Sequence, residues 1–68
     1  MLIFQTKYII GRISPYIEFS DGCGHMTERF EDAQMFETTE SAEHEIEKWD
    51  EDAKDGIKII PVEITCRL

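Results

Sequence analysis

Only one segment of the chain has the residue spacing of an amphipathic helix, and this limits the fold to a single helix among strands. Within residues 31–56, four small or apolar side chains recur at i, i+4, i+7 and i+11, which places them on one helix face: Ala42, Ile46, Trp49 and Ala53. Thr38 is a suitable N-cap, and Gly56 is suited to ending a helix. We therefore expect one helix that starts near Thr39 and continues to about Lys54.

The flanking segments have the composition of strands. Residues 2–10 are rich in β-branched and aromatic types, with apolar side chains at both parities, which is typical of a strand covered on both faces near the middle of a sheet. Gly11 and Pro15 are expected to separate it from a second, alternating strand at residues 16–20. The closing segment contains Pro61, which cannot donate to a ladder, so the last strand should lie at a sheet edge or carry a bulge.

Asp21-Gly22 predicts a two-residue type I′ hairpin turn, because Asp and Gly tolerate the positive φ that this turn needs. Ser20 would then face Cys23, and a third strand would cover about residues 24–30. The predicted register pairs Ile17 with Met26 and Ile13 with Phe30 on the inner face, sets Gly24 opposite Phe19, and pairs Glu18 with His25 and Tyr16 with Thr27 on the other face.

These elements predict one α+β domain over residues 1–68. The expected order is β-β-β-α-β, in a small antiparallel or mixed sheet with the acidic amphipathic helix packed on one face. A chain of 68 residues can bury only a small core. Its 41% of hydrophobic residues nevertheless favours a folded domain over a disordered one. The order of the strands within the sheet stays open.

Negative charge is concentrated in one segment of the chain. Residues 31–55 contain eleven acidic residues and two lysines, a net charge of −9, whereas the whole chain carries −8. On a continuous helix, four of these acids would form a row with Cβ atoms about 5–6 Å apart: Glu43, Glu47, Glu51 and Asp55. Each neighbouring pair of like charges destabilises a helix by ~0.2–0.5 kcal/mol, a cost that intermixed lysines would avoid.

Such a row is either a solvated face that keeps the chain soluble or a binding surface. Its spacing is comparable to the step between phosphates along a nucleic-acid strand, so it could occupy the basic groove of a nucleic-acid-binding protein and act as a DNA mimic. Direct binding of DNA or RNA is disfavoured by the same charge. The predicted partner is a host protein with a basic surface, and the predicted partner-binding residues are Glu40, Glu43, Glu47, Asp50, Glu51 and Asp55.

The stretch "FSDGCGHMTERF" brings Cys23 and His25 close together, but it does not have the spacing of a metal or catalytic site. Structural zinc favours short Cys-x₂₋₄-Cys or His-x₃₋₅-His pairs, and here the remaining ligands would be the distant His44 and Cys66. No cation or helix N-terminus is expected beside the thiol to activate it. We therefore expect no metal, no cofactor and no enzymatic activity, and we assign Trp49 to the core.

The chain is expected to be cytoplasmic. It has no apolar run near the roughly 18 residues that a spanning helix needs, and its start lacks the basic region and cleavage site of a secretory signal. Two cysteines are too few for a disulfide framework.

The run "EDAQMFETTESAEHEIEKW…DGIKIIPVEI" resembles a pattern found in short bacteriophage-encoded accessory proteins, in which an "A-x-x-F-x-T" lead-in caps a single helix and a "pVeI"-like strand follows. The resemblance covers residues 31–64. It rests on Ala33, Phe36, Thr38, Ala42, Pro61, Val62 and Ile64. It implies a viral origin and, since such proteins often inhibit host defences, a host-defence inhibitor acting in the host cell.

The leading expectation is therefore a non-enzymatic phage protein that binds and inhibits a host protein, such as a defence enzyme or toxin, through its acidic helix. The alternative is a homo-oligomeric module, for instance a homodimer, that sequesters a small ligand such as a nucleotide signal. That alternative is motivated by Ile3 and Ile9, which would need cover if the helix shields only one face of the sheet.

Overall fold

The computed structural model describes residues 1–13 and 16–68, and it places four antiparallel strands and one α-helix in them. The strands form one sheet in the order β3-β2-β1-β4, so the predicted β-β-β-α-β order and small α+β sheet are confirmed. Pro15, expected to separate the first two strands, lies outside the described residues. The elements are β1 (Leu2–Arg12), β2 (Glu18–Ser20), β3 (Met26–Thr27), α1 (Thr39–Glu47) and β4 (Lys58–Arg67), with 3₁₀ turns at Phe30–Asp32 and Glu51–Lys54.

β1 and β4 form a long two-stranded ribbon that runs the length of both strands. Their register runs without interruption from Leu2 opposite Arg67 to Gly11 opposite Lys58. The molecule is correspondingly elongated, with extents of 44 × 23 × 18 Å. β4 pairs with β1 alone and is an edge strand, which confirms the expectation drawn from Pro61.

The backbone bonds of Tyr8 explain how Pro61 fits inside the ladder. The Tyr8 N–H donates to the Phe36 carbonyl (2.9 Å) and the Phe36 N–H donates to the Tyr8 carbonyl (2.7 Å). Tyr8 therefore points its polar backbone groups away from Pro61, its cross-strand neighbour, in a non-hydrogen-bonded pair. Because the missing N–H of Pro61 would face the open edge, no ladder bond is lost.

The main core cluster lies between the sheet and one face of α1. Ile9, on the other face of β1, is buried as well, so the expectation that it would need cover is wrong. Ile10, Phe36 and Ala42 are buried, and Tyr8, Ile46, Trp49, Ile57 and Ile59 pack around them. The assignment of Trp49 to the core is therefore confirmed. Ala53, the last residue of the predicted apolar stripe, is exposed.

The helix starts where the sequence predicts but ends earlier. The Thr38 hydroxyl accepts from the Ser41 N–H (3.1 Å) and α1 begins at Thr39, as expected. The prediction that the helix continues to about Lys54 is wrong, because α1 ends at Glu47.

The early end of α1 has a visible local cause. The Trp49 N–H bonds to the Ile46 carbonyl (2.9 Å), an i→i−3 bond that tightens the last turn. Asp50 is then extended (φ −66°, ψ 151°), a conformation consistent with the low helix propensity of Asp. Trp49, at the end of the helix, packs against the core. Ala53 lies beyond the helix, so it is no longer on the buried helix face and is exposed.

The prediction of a two-residue turn at Asp21-Gly22 is wrong, and so is the predicted register that depended on that turn. Asp21 N–H bonds to the His25 carbonyl (3.1 Å), and Ser20 lies opposite Met26 rather than Cys23. Phe19 faces Thr27, so the earlier pairs Ile17–Met26, Ile13–Phe30, Phe19–Gly24, Glu18–His25 and Tyr16–Thr27 do not form. Ile13 and Ile17, expected to point inward, are exposed, and β3 covers Met26–Thr27 instead of 24–30.

The Asp21 carboxylate closes the longer loop. Its Oδ1 accepts the N–H groups of Cys23 (2.7 Å) and His25 (3.2 Å). Gly22 and Gly24 both have positive φ (82° and 88°), so the second glycine lets the chain turn once more before it pairs with β2. The sequence pattern Asp-Gly-x-Gly is thus a five-residue loop built around a side-chain acceptor.

Gly11 does not end β1 as predicted, since β1 continues to Arg12. The glycine instead allows β2 to pack close to β1. It pairs with Phe19 across to β2 and with Lys58 across to β4. A Cβ atom at this position would lie 2.6 Å from the Glu18 carbonyl oxygen and 3.1 Å from Phe19 Cδ1. Only glycine lets β2 approach β1 this closely.

Candidate functional site

The acidic surface predicted from the sequence is solvent-exposed along its whole length. We use the name acidic surface for the six predicted residues. Two lie on α1 beyond its first turn, one lies in that first turn, and three follow the end of α1. Every one of the six is exposed: Glu40, Glu43, Glu47, Asp50, Glu51 and Asp55.

The prediction that the carboxylates form one continuous row along a helix is wrong. Only the step from Glu43 to Glu47 lies within α1, where side chains four positions apart have Cβ atoms about 5–6 Å apart. Glu51 belongs to the 3₁₀ turn and Asp55 follows that turn in an extended conformation. The acidic surface is therefore a short helical part followed by an irregular part, and its spacing is not that of a uniform rod.

Few of these carboxylates are compensated by cations. Glu47 lies 3.8 Å from His44 Nδ1, and Glu51 lies 3.3 Å from Lys54 Nζ; exposed pairs of this kind contribute little. Among residues 1–13 and 16–68, no ion pair involves the other four acids of the surface: Glu40, Glu43, Asp50 and Asp55. These four carboxylates are available to a cationic partner.

A cleft of about 270 Å³ lies at the end of α1 and adjoins the acidic surface. Its wall includes Arg12 from β1, His25 from the Asp21 loop and Lys48 at the helix C-terminus, together with the carboxylate of Asp50. Trp49 and the buried Ser20 also line it. We call this the basic cleft after Arg12 and Lys48. Each of these cations also has an acidic neighbour, since Glu18 Oε2 lies 3.8 Å from Arg12 Nε and Glu45 Oε2 lies 3.5 Å from Lys48 Nζ.

Arg12 is held in the basic cleft by contacts to two other segments. Its Nη2 donates to the Ala53 carbonyl (3.1 Å), and its Nε lies 3.8 Å from Glu18 Oε2. That second distance is too long for a hydrogen bond, and the buried Nε has no hydrogen-bond partner. A buried N–H without a partner is uncommon, so this guanidinium keeps one donor unused.

Sequence reasoning missed the basic cleft because its residues are far apart in the chain. Arg12 meets Ala53 over a separation of 41 positions, and His25 reaches the cleft only because the Asp21 loop is longer than a two-residue turn. The one signal in the sequence is that Lys48 and Trp49 adjoin at the end of the helix pattern.

Cys23 and His25 lie in the Asp21 loop rather than on a strand, and His25 does not pair with Glu18 in the ladder. Cys23 and Cys66 are both exposed free thiols. Over the part of the chain that the structure describes, no group of three or more His, Cys, Asp or Glu side chains is arranged to hold a metal ion. The N–H of Cys23, then that of His25, stabilises the Asp21 carboxylate and lowers its pKa below the ordinary value.

No family model, curated protein or solved structure matches the chain. Among the helices within residues 1–13 and 16–68, none has the length and apolar character needed to cross a membrane.

Proposed function

We propose that this chain is a non-enzymatic binding protein whose acidic surface occupies the basic, nucleic-acid-binding surface of another protein and inhibits it. The partner we expect is a host defence enzyme or toxin, and the setting is the cytoplasm of a bacteriophage-infected cell. The phage setting rests on the resemblance over residues 31–64. The binding role rests on the charge distribution.

The observation that carries the proposal is the segregation of charge. Residues 31–55 carry −9, whereas the rest of the chain carries +1. A chain that needed charge for solubility alone would mix both signs over its surface. Four exposed carboxylates without an ion pair instead lie within residues 40–55, and their summed field would steer a basic surface toward them.

The same field argues against nucleic acid as the direct ligand. Phosphates would be repelled by the acidic surface, and binding to nucleic acid normally depends on several Lys or Arg side chains that release counterions. The protein would thus compete with nucleic acid for a partner rather than bind it.

The test compares two triple variants with equal net charge. E43Q/E47Q/E51Q removes three carboxylates from the acidic surface, and E28Q/E31Q/E63Q removes three exposed carboxylates elsewhere. Both change the chain from −8 to −5. Immobilised wild-type chain is incubated with bacterial lysate, bound proteins are eluted with duplex DNA or with salt, and the recovered partner is titrated against each variant.

We expect the first variant to bind the partner at least tenfold more weakly and with a shallower salt dependence, since three charge contacts are lost. The second variant should bind like the wild type. Equal weakening in both variants would mean that only net charge matters, and unchanged binding in both would refute the role of the acidic surface.

A second candidate function, sequestration of a small ligand, is favoured by the basic cleft. The Arg12 guanidinium, the Lys48 ammonium and the Trp49 ring line this cleft beside the Asp50 carboxylate. The two cations and the ring suit an anion that carries an aromatic ring, such as a nucleotide. The volume of about 270 Å³ is near the lower limit for ligand pockets, so the ligand would be small and partly exposed.

Trp49 provides the measurement for this candidate. Titration with a nucleoside monophosphate should change its fluorescence, and inorganic phosphate alone should change it much less. Lys48→Met should weaken the response, whereas Lys58→Met, an exposed lysine on β4, should not. No fluorescence change at millimolar nucleotide would exclude this candidate and leave the first proposal untouched.

A further inference from the structure

On the side of β1 that faces away from β4, some backbone N–H and C=O groups have no hydrogen-bond partner in the described residues. Met1 exchanges backbone bonds with Leu68, and Tyr8 exchanges them with Phe36 on the opposite side. Since N–H and C=O groups alternate between the two sides of an antiparallel strand, Leu2, Phe4 and Thr6 direct theirs away from β4. Within β1, only Gly11 and Arg12 pair with β2. Among residues 1–13 and 16–68, Leu2, Phe4 and Thr6 therefore have no backbone partner on this side.

The side chains of this edge are apolar and exposed. Leu2 is 49% exposed and Phe4 is 62% exposed, and residues 2–6 contain no charge. The opposite edge of the ribbon is different, because Pro61 removes a donor there and Lys58 and Arg67 place cations on it. Proline and charged residues are the usual protection of an edge strand, so one edge of the ribbon is protected and the other is not.

We propose that the Leu2–Thr6 edge binds the same edge of a second copy of this chain, as an antiparallel pair centred on Phe4. Phe4 then faces Phe4 of the second copy, and Leu2 faces Thr6. This is the register that uses all three outward-facing residues, because a shift of two positions toward the core would require Tyr8, which Phe36 already occupies. The edge is therefore complementary to itself about a two-fold axis.

The pairing also resolves an unfavourable feature of the monomer. Over residues 2–6 the sheet is only two-stranded, and two-stranded ribbons are marginal alone in water. The dimer converts it into a four-stranded sheet with the order β4-β1-β1-β4. The antiparallel arrangement places the two acidic segments, each with a charge of −9, at opposite ends of the assembly, so like-charge repulsion stays small.

Thr6→Pro is the decisive variant. Thr6 lies opposite Glu63 in a non-hydrogen-bonded pair, the same kind of position that Pro61 occupies opposite Tyr8. Proline at position 6 therefore leaves the β1–β4 ladder intact while its ring blocks the outer edge. Thr6→Val is the matched control, because it also removes the hydroxyl but keeps the N–H.

The mass in solution is measured by light scattering and sedimentation over a wide range of chain concentration. The wild type and Thr6→Val should rise from the 8.0 kDa monomer to twice that mass, and Thr6→Pro should stay monomeric with unchanged far-UV circular dichroism. A wild type that remains monomeric at millimolar concentration, or a folded Thr6→Pro that still doubles its mass, would overturn the proposal.

Amide hydrogen exchange tests the same contact without a substitution. In the dimer, the N–H groups of Leu2, Phe4 and Thr6 become protected as concentration rises, while those of Ile3 and Gln5 are protected at every concentration because they pair with β4. Fast exchange at all three outward positions under conditions where the mass is doubled would place the dimer contact elsewhere and overturn the register. This readout applies even if Thr6→Pro does not fold.

Discussion

The substitution Gly11→Ala tests the packing of β1 against β2. It has two opposite effects on stability, a gain in strand propensity and a steric clash with β2. Glycine within a strand is usually destabilising by about 0.5–1 kcal/mol relative to alanine, so strand propensity alone predicts a more stable variant. The structure predicts the reverse. The new Cβ would lie 2.6 Å from the Glu18 carbonyl oxygen, and that oxygen belongs to the backbone, so it cannot rotate away.

The size of the effect follows from the distance. Ordinary van der Waals contact for such a Cβ begins at 3.4 Å, so β2 must retreat by about 0.8 Å, which is the difference between the two distances. Forcing an extra carbon into a packed site costs about 1–3 kcal/mol. After the propensity gain is subtracted, we expect a net loss of about 1 kcal/mol in the free energy of unfolding, within a range of roughly 0–2.5 kcal/mol.

Urea denaturation, followed by Trp49 fluorescence and by circular dichroism, measures this difference. Chain concentration must be held fixed, since association would add to the apparent stability. A midpoint lowered with an unchanged denaturant slope is the expected result. A Gly11→Ala variant that is more stable than the wild type would refute the close approach of β2 to β1.

Two further predictions concern caps and pH. Thr38→Ala removes the acceptor of the Ser41 N–H and should lower the free energy of unfolding by about 1 kcal/mol. Thr39→Ala is the neighbouring control, because it keeps the cap. An equal loss in both variants would contradict the capping role of Thr38. The pKa of Asp21 is lowered on folding, so its stabilising contribution is complete above about pH 4 and is lost as pH falls further. Asp21→Asn keeps an acceptor oxygen for Cys23 but removes that titration, so the stability difference between wild type and variant should shrink between about pH 6 and about pH 3; a constant difference would contradict the assignment.

Local patterns predicted those parts of the fold that depend on neighbouring residues. The Thr38 cap, the burial of Ala42 and the edge position signalled by Pro61 all follow from the chemistry of single positions. The hairpin failed because Asp21-Gly22 satisfies a short turn and a longer one equally well, and the choice depends on side-chain hydrogen bonds that the sequence does not display.

The candidate site divides in the same way. Exposure of the acidic surface could be predicted, since its residues lie on the polar side of one segment. Its shape could not, because the apolar spacing continues past Glu47 while the helix itself stops there, where the Trp49 N–H bonds to the Ile46 carbonyl and Asp50 becomes extended. The basic cleft depends entirely on tertiary contacts between Arg12, the Asp21 loop and the end of α1.

The separation of charge along an elongated molecule has a consequence for diffusion. In a body 44 Å long, the carboxylates gathered in residues 31–55 would steer the proposed basic partner toward that segment during its approach. Two copies joined through β1 would then be a bivalent reagent, able to hold two partner molecules, or two sites on one assembly, at a fixed separation.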